Sequence, residues 1–171
     1  TLAKQTTFPF FDDFSNFNIS NNNWTDRNIL INNSYSINPI SSGVATFDGL
    51  DSNGFAYDIS VTNSYGVADY LTSKEIDISN LDSIFLMFFY QPQGVGDFPQ
   101  NQDSLVLEFL DDSLNWNRIW AINGSSYYPF EKKVIFINEN KFLHQNFRFR
   151  FFNYATLSGN FDHWNLDYVL L

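Results

Sequence analysis

Residues 147–151 read Phe147-Arg148-Phe149-Arg150-Phe151, and this stretch decides the fold class. Successive side chains of a β-strand point to opposite faces, so a strand here places every phenylalanine on one face and both arginines on the other. Such alternation is typical of a half-buried strand. The pattern therefore predicts a strand that covers an apolar core with one face and meets solvent with the other.

Strand-like stretches recur along the whole chain. Residues 83–90 are apolar on both faces and predict a central strand, whereas 105–109 and 164–170 place their larger apolar side chains mainly on one face. Shorter strands are predicted at 8–14, 43–48, 69–73, 75–78, 116–122 and 133–137. Turn-forming residues separate these runs, and no stretch shows the apolar period of a helix. The sequence predicts two antiparallel sheets packed as a β-sandwich.

The composition narrows the classes of function. The chain has 171 residues, of which 19% are aromatic and 16% are charged, so it holds enough apolar mass for a core and is not intrinsically disordered. Its formal charge of −10 argues against a nucleic-acid partner, because nucleic acids need a basic surface. A membrane-spanning helix needs about 18 consecutive apolar residues, and no apolar run in the sequence is nearly that long. We therefore expect no membrane insertion.

Catalytic motifs are lacking in the sequence. The chain has no cysteine, which excludes thiol catalysis and cysteine-ligated metals. His144 and His163 lie in unrelated contexts, and neither a Gly-x-Ser-x-Gly elbow nor a His-Glu-x-x-His pair is present. No glycine-rich loop opens a helix to cradle a phosphate. We therefore predict that the chain is not an enzyme.

A ligand-binding surface is predicted from aromatic and arginine residues. Sugar rings stack on exposed aromatic side chains and form hydrogen bonds with planar groups beside them. The candidate ligand-binding residues are Trp116, Trp120, Tyr127, Arg148 and Arg150. In a plain strand Trp116 and Trp120 share a face, because they are four residues apart. The alternative is that Trp120 belongs to the core. The arginines would then only face water on the outer side of a sheet or form ion pairs, for example with Glu108.

Several short motifs resemble those of the MAM-type jelly roll. They lie at 10–14, 43–48, 68–73, 103–108 and 165–169 and together cover nearly the whole chain. The resemblance is nearest to MAM-like and cleaved-adhesin-like modules of bacterial surface or secreted proteins that use type IX secretion. Animal MAM domains carry disulfides, whereas this sequence has none. The resemblance implies an all-β, antiparallel two-sheet jelly-roll sandwich of the concanavalin/MAM-like kind at residues 8–171. Residues 1–7 show no strand pattern, and we expect them to form an N-terminal tail.

The same resemblance implies a calcium site. In related sandwich modules, aspartates of the first and last strands hold a structural Ca²⁺ together with a nearby loop. The matching residues in this sequence are Asp13, Asp48 and Asp167. Carboxylate and carbonyl oxygens are the ligands that calcium prefers. The alternative is that these aspartates accept backbone N–H groups in turns.

The function implied by the resemblance is a non-catalytic module for adhesion, protein docking or carbohydrate contact. We predict a binding or adhesion module of an exported protein, secreted or held at the outer membrane. In this hypothesis its loops and one sheet face recognise a protein partner at the cell surface or in the secretion machinery. The alternatives are a carbohydrate-binding module with structural calcium and a structural spacer domain.

Overall fold

The structure is a computed structural model that describes residues 8–171. These residues form ten strands and one 3-10 helix. In chain order they are β1 (Phe11–Asp12), β2 (Leu30–Asn32), β3 (Val44–Phe47), β4 (Tyr65–Thr72), β5 (Ile84–Pro92), β6 (Ser104–Leu110), β7 (Trp116–Asn123), β8 (Glu131–Ile137), the 3-10 helix (Asn140–Phe142), β9 (Phe149–Thr156) and β10 (Trp164–Leu170).

The strands build two antiparallel sheets. Strands β2, β3, β10, β5 and β8 lie side by side in that order, and β1 pairs with the last residues of β10 to complete a six-stranded sheet. The second sheet has four strands in the order β4, β9, β6, β7. From β3 onward, all but one of the connections cross from one sheet to the other. This arrangement confirms the predicted all-β jelly-roll sandwich.

Phenylalanine rings fill the space between the sheets, as the alternation at 147–151 predicts. Phe149 and Phe151 of β9 are fully buried. Phe151 meets Phe88 of the facing sheet edge to face, with ring centroids 4.9 Å apart. Phe10, next to β1, meets Phe149 at 5.1 Å. Such edge contacts add about 0.5–1.5 kcal/mol each to the free energy gained by burial, so they help to lock the two sheets together.

Several observed strands differ from the predicted ones. Strand β4 begins four residues before the predicted stretch at 69–73, and β9 lies at 149–156 where the alternation predicts 147–151. Strand β2 has no counterpart among the predicted strands. At 8–14 the ladder is limited to β1, because Asp12 and Asp13 accept backbone N–H groups two residues ahead and turn the chain. At 75–78 only Ile76 forms a bridge. Within the described part of the chain, no helix has the length and apolar character needed to cross a bilayer.

Candidate functional site

The outer face of the four-stranded sheet carries a group of aromatic side chains. In β9 the residues that alternate with the buried phenylalanines point outward, namely Arg150, Phe152 and Tyr154. The ladder register sets Tyr70 of β4 beside Phe152 and Glu108 of β6 beside Arg150. We call this surface the aromatic face and define it by Tyr65, Tyr70, Trp116, Arg150, Phe152 and Tyr154.

Four rings form a connected group where β4 and β9 lie together. Tyr65 stacks on Tyr154 with ring centroids 6.2 Å apart and an interplanar angle of 25°. Tyr154 meets Phe152 at 5.7 Å, and Phe152 meets Tyr70 at 5.5 Å. Phe152 is only 4% exposed whereas Tyr65 is 46% exposed. Phe152 is therefore covered by the neighbouring tyrosine rings, which are the ones that reach solvent.

Arg150 joins these rings to Trp116 of β7. Its guanidinium carbon lies 4.2 Å from a ring centroid of Trp116 and 5.1 Å from that of Tyr70. Its Nε donates to Glu108 Oε2 at 2.8 Å, and its Nη2 lies 2.6 Å from the same oxygen. The ion pair and the cation–π contacts hold the guanidinium in one position, so they also fix the two rings beside it.

Arg148 occupies the preceding outward position and is anchored to the backbone. Its Nε donates to the Ser73 carbonyl at 3.0 Å, and its Nη2 donates to Thr25 Oγ1 at 3.3 Å. Its guanidinium carbon lies 5.9 Å from a ring centroid of Trp116. Trp116 is therefore positioned by both arginines, although its side chain remains partly exposed.

This arrangement suits a ligand that is flat on one side and polar at its edge. Aromatic rings offer apolar area for the flat side. Arg150 supplies N–H donors in a planar fork and Glu108 supplies carboxylate acceptors, so hydroxyl groups find partners in either role. Because all these side chains are held by neighbours, binding requires little ordering of the protein.

Three of the five candidate ligand-binding residues come together here, namely Trp116, Arg148 and Arg150. Trp120 points into the sandwich, where it meets two rings of β5 at centroid distances of 5.3 Å and 4.9 Å. The β6–β7 ladder shifts register and leaves Ile119 unpaired, and an extra residue of this kind reverses the alternation. The expectation that the two tryptophans share a face is therefore wrong, and Trp120 packs against the core.

Tyr127 lies in the connection between β7 and β8, beside the other sheet. Its backbone N–H donates to Gln93 Oε1 at 2.8 Å, and Gln93 directly follows β5. Conversely, the aromatic face includes three residues that are not among the candidates predicted from the sequence, namely Tyr65, Tyr70 and Tyr154. A signal for Tyr154 was present, because it continues the outward series of Arg148 and Arg150 by even steps.

The carboxylate of Asp167 and the backbone carbonyl of Asp13 both lie at the hydroxyl of Ser41, whereas the Asp13 carboxylate accepts the Ser15 N–H. Asp167 Oδ2 accepts the N–H groups of Ile40 and Ser41 at 2.8 Å and 2.9 Å. The Ser41 hydroxyl lies 2.6 Å from Asp167 Oδ1 and 2.6 Å from the Asp13 carbonyl oxygen. Burial raises the pKa of Asp167. The serine hydroxyl thus links the Asp167 carboxylate to the backbone of Asp13 and not to its carboxylate.

Asp48, the third predicted ligand, belongs to a different network. It lies beside Asp69, which accepts the Gly49 N–H at 2.9 Å, and burial raises the pKa of Asp48 to about 6 and that of Asp69 to about 7. In residues 8–171 no three Asp, Glu, His or Cys side chains are grouped to hold a metal. The structure thus does not assemble Asp13, Asp48 and Asp167 into one site, and calcium binding stays a prediction.

Comparison with known proteins shows the fold. No protein-family model matches the sequence, and no curated protein matches it. The carbohydrate-binding module CBM27-1 of Caldicellulosiruptor saccharolyticus, solved in complex with mannohexaose, has a TM-score of 0.56 at 12% identity over 95% of each chain. The chain is thus similar in fold to a sugar-binding module with almost no similarity in sequence.

Two further solved structures contain the same sandwich within longer chains. The tandem CBM22-1–CBM22-2 domain of Paenibacillus barcinonensis Xyn10C has a TM-score of 0.50 at 10% identity, over 99% of this chain and 46% of its own. The enzymatically active domain of bacteriophage CBA120 tailspike protein 4 has a TM-score of 0.51 at 15% identity, over 92% of this chain and 20% of its own. At sequence identities this low, the similarity shows the jelly-roll architecture alone.

Proposed function

We propose that the aromatic face binds carbohydrate and that the chain acts as a non-catalytic binding module. The observation that carries the proposal is the connected set of rings on an outer sheet face, held in place by Arg150 and Glu108. The shared fold with a module solved with mannohexaose supports it. Among the hypotheses drawn from the sequence, these findings favour the carbohydrate alternative over a protein partner.

The extent of the aromatic face favours an oligosaccharide over a single sugar. The rings run from Tyr65 through Tyr154 and Phe152 to Tyr70, and Arg150 continues the series to Trp116. Successive sugar units of a chain can each rest on a different ring, while their hydroxyls reach Arg150 or its partner carboxylate. Affinity then accumulates from several modest contacts, as expected for a surface without a deep cavity.

Binding of mannohexaose, measured by calorimetry and followed by a glycan array, tests the proposal. We expect Trp116→Ala and Tyr154→Ala each to weaken the binding of the best glycan about tenfold, because a stacked ring contributes about 1.5 kcal/mol beyond its area. Tyr127→Ala is the matched control and retains full affinity, since Tyr127 lies outside the aromatic face.

Two results would refute the proposal. One is that the parent chain binds no glycan on the array. The other is that Trp116→Ala and Tyr154→Ala bind as tightly as the parent while their circular dichroism and melting temperature show an intact fold. The second result would leave the chain a sugar binder but move the site away from the aromatic face.

The protein partner, and export to the cell surface, stay predictions. The surface on which to test a partner is the outer face of the six-stranded sheet, where Phe136 is 73% exposed and Phe85 is 46% exposed. Their ring centroids are 6.4 Å apart, and contiguous exposed apolar patches mark contact sites. Phe136→Ser separates the two hypotheses, because it removes the apolar patch and leaves the aromatic face unchanged.

A further inference from the structure

Two buried carboxylates lie at one end of the sandwich. Asp103 directly precedes β6, and Asp162 belongs to the connection between β9 and β10; they are 0% and 1% exposed. Each uses one oxygen to accept a backbone N–H group, from Gln100 at 2.5 Å for Asp103 and from Thr156 at 2.8 Å for Asp162. The other oxygen, Oδ1 in both residues, is buried and has no hydrogen-bond partner.

The topology brings these two carboxylates side by side. Ser104, next to Asp103, pairs with Tyr154 of β9, and Asp162 is bonded to Thr156 two residues further along the same strand. Burial and the neighbouring charge of Asp162 raise the pKa of Asp103 to about 6. Two adjacent, buried carboxylate oxygens without partners destabilise the folded state unless a proton or a cation lies between them.

Other oxygen-bearing residues lie close to the pair. The hydroxyl of Tyr65 donates to the Gln102 carbonyl and lies next to Asp103. A cavity of about 260 Å³ adjoins Asp162 and is also lined by Thr62, Asn63 and Asp97. Carboxylate, amide, hydroxyl and carbonyl oxygens are the kinds of ligand that Ca²⁺ takes, six to eight in number, and the cavity has room for water molecules that would supply some of them.

We propose that Asp103 and Asp162 bind one Ca²⁺ between their Oδ1 atoms, with the remaining ligands from the neighbouring loops and from water in the cavity. This site is separate from the predicted one at Asp13, Asp48 and Asp167. Asp167 there has hydrogen-bond partners on both oxygens, whereas Asp103 and Asp162 each keep one buried oxygen without a partner. The proposal does not depend on sugar binding.

Calcium titration of the full chain after removal of metal with EDTA tests this site. Terbium luminescence gives the stoichiometry, and the melting temperature gives an independent readout. We expect one ion per chain, and a midpoint raised by about 4 °C at a calcium concentration ten times the dissociation constant. Asp162→Asn and Asp103→Asn keep an oxygen for the backbone N–H groups, and each should weaken Ca²⁺ binding at least tenfold.

Asp167→Asn is the matched control, because it changes a buried aspartate of the other predicted site and should leave Ca²⁺ affinity unchanged. The proposal fails if the parent shows neither a terbium signal nor a calcium-dependent shift. It also fails if Asp167→Asn loses the ion while Asp103→Asn and Asp162→Asn retain it. A parent that ignores calcium but melts higher below pH 6 would assign a shared proton, not a cation, to the pair.

Discussion

The buried carboxyl group of Asp69 should make the stability of this protein fall as the pH rises. Asp69 is fully buried, its Oδ1 accepts the hydroxyl of Tyr57 at 2.7 Å, and its Oδ2 accepts the Gly49 N–H at 2.9 Å. Burial raises its pKa from 3.8 to about 7. A raised pKa means that the folded state holds the proton more tightly than the unfolded state. The stabilisation is complete below pH 3.8 and is lost as the pH rises through 7.

The magnitude follows from this titration. Between pH 5.5 and 8.5 the unfolded chain is ionised at this residue throughout, whereas the folded chain must release its proton near pH 7. One pKa unit corresponds to about 1.4 kcal/mol, so the free energy of unfolding should fall by about 2 kcal/mol over this range. Burial also raises the pKa of Asp48 and Asp103 to about 6, and these groups add to the slope in the same direction.

Asp69→Asn isolates this contribution. The amide cannot ionise, its oxygen can accept the Gly49 N–H, and the Tyr57 hydroxyl has the Leu50 carbonyl at 3.3 Å as another acceptor. Urea unfolding at four pH values between 5.5 and 8.5 gives the difference in unfolding free energy between variant and parent. As the pH rises from 5.5 to 8.5, we expect the unfolding free energy of the variant to increase by about 2 kcal/mol relative to that of the parent.

Asp58→Asn provides the control for that series. Hydrogen bonds from Ser60 and Ser64 lower the pKa of Asp58 to about 2, so its contribution is complete above pH 4 and constant between pH 5.5 and 8.5. The reasoning is refuted if the difference between Asp69→Asn and the parent stays as constant with pH as the difference measured for Asp58→Asn. Asp69 would then remain ionised in the folded protein.

Two further substitutions test the packing. Phe151→Ala removes a fully buried ring that meets Phe88 across the two sheets, and urea denaturation should show a loss of about 3–5 kcal/mol; a loss below 1 kcal/mol would contradict the described core. Gly96→Ala would place a Cβ 2.6 Å from the ring of buried His163, so calorimetry should show a lower melting temperature, with about 1–3 kcal/mol of strain; an unchanged midpoint would show that this ring can move.

The fold was predictable because its decisive information is local. The alternation at 147–151 predicts the face that β9 buries, although the strand itself begins at Phe149 and continues to Thr156, and similar stretches repeat along the chain. Strand β2 was missed because three residues show no period. It forms only where β3 offers an edge for pairing, and a partner distant in sequence leaves no local signal.

The aromatic face was predictable only in part, because two register shifts decide its membership. One shift in β7 sends Trp120 into the core while Trp116 stays outside. The other lies between Val67 and Tyr70 of β4, where it allows both residues to face outward although they are three positions apart. A bulge is a property of the ladder and not of one strand, so alternation within a single strand cannot show it.

The buried acids were less predictable still, since each pair joins segments that are far apart in the chain. Asp103 and Asp162 meet because β6 and β9 are neighbours. Asp48 directly follows β3, and it lies beside Asp69 of β4 although these two strands belong to different sheets. Of the aspartates grouped from the sequence, Asp13 reaches the surroundings of Asp167 only through its backbone carbonyl, and Asp48 belongs to a different network.

The two outer faces of the sandwich differ in what their polar side chains bind. This difference is the reason that we propose the ligand site on the four-stranded sheet. On the six-stranded sheet, the segment after β2 covers part of the surface. The side chain of Gln91 exchanges two hydrogen bonds of 2.9 Å with the backbone of Ile37, and Asp167 binds the N–H groups of Ile40 and Ser41. These side chains are fully buried, so a ligand on the surface cannot reach them.

On the four-stranded sheet, Tyr65 and Arg148 are hydrogen-bonded to backbone carbonyls, whereas the hydrogen bonds of Arg150 and Glu108 are made to each other. Arg150 and Glu108 bind each other, and the rings beside them remain partly open to solvent. A ligand can therefore add hydrogen bonds at this pair without breaking any backbone contact. Because the cost of binding is set mainly by what must first be ordered or broken, the open face is the better candidate for the sugar chain that we propose as ligand.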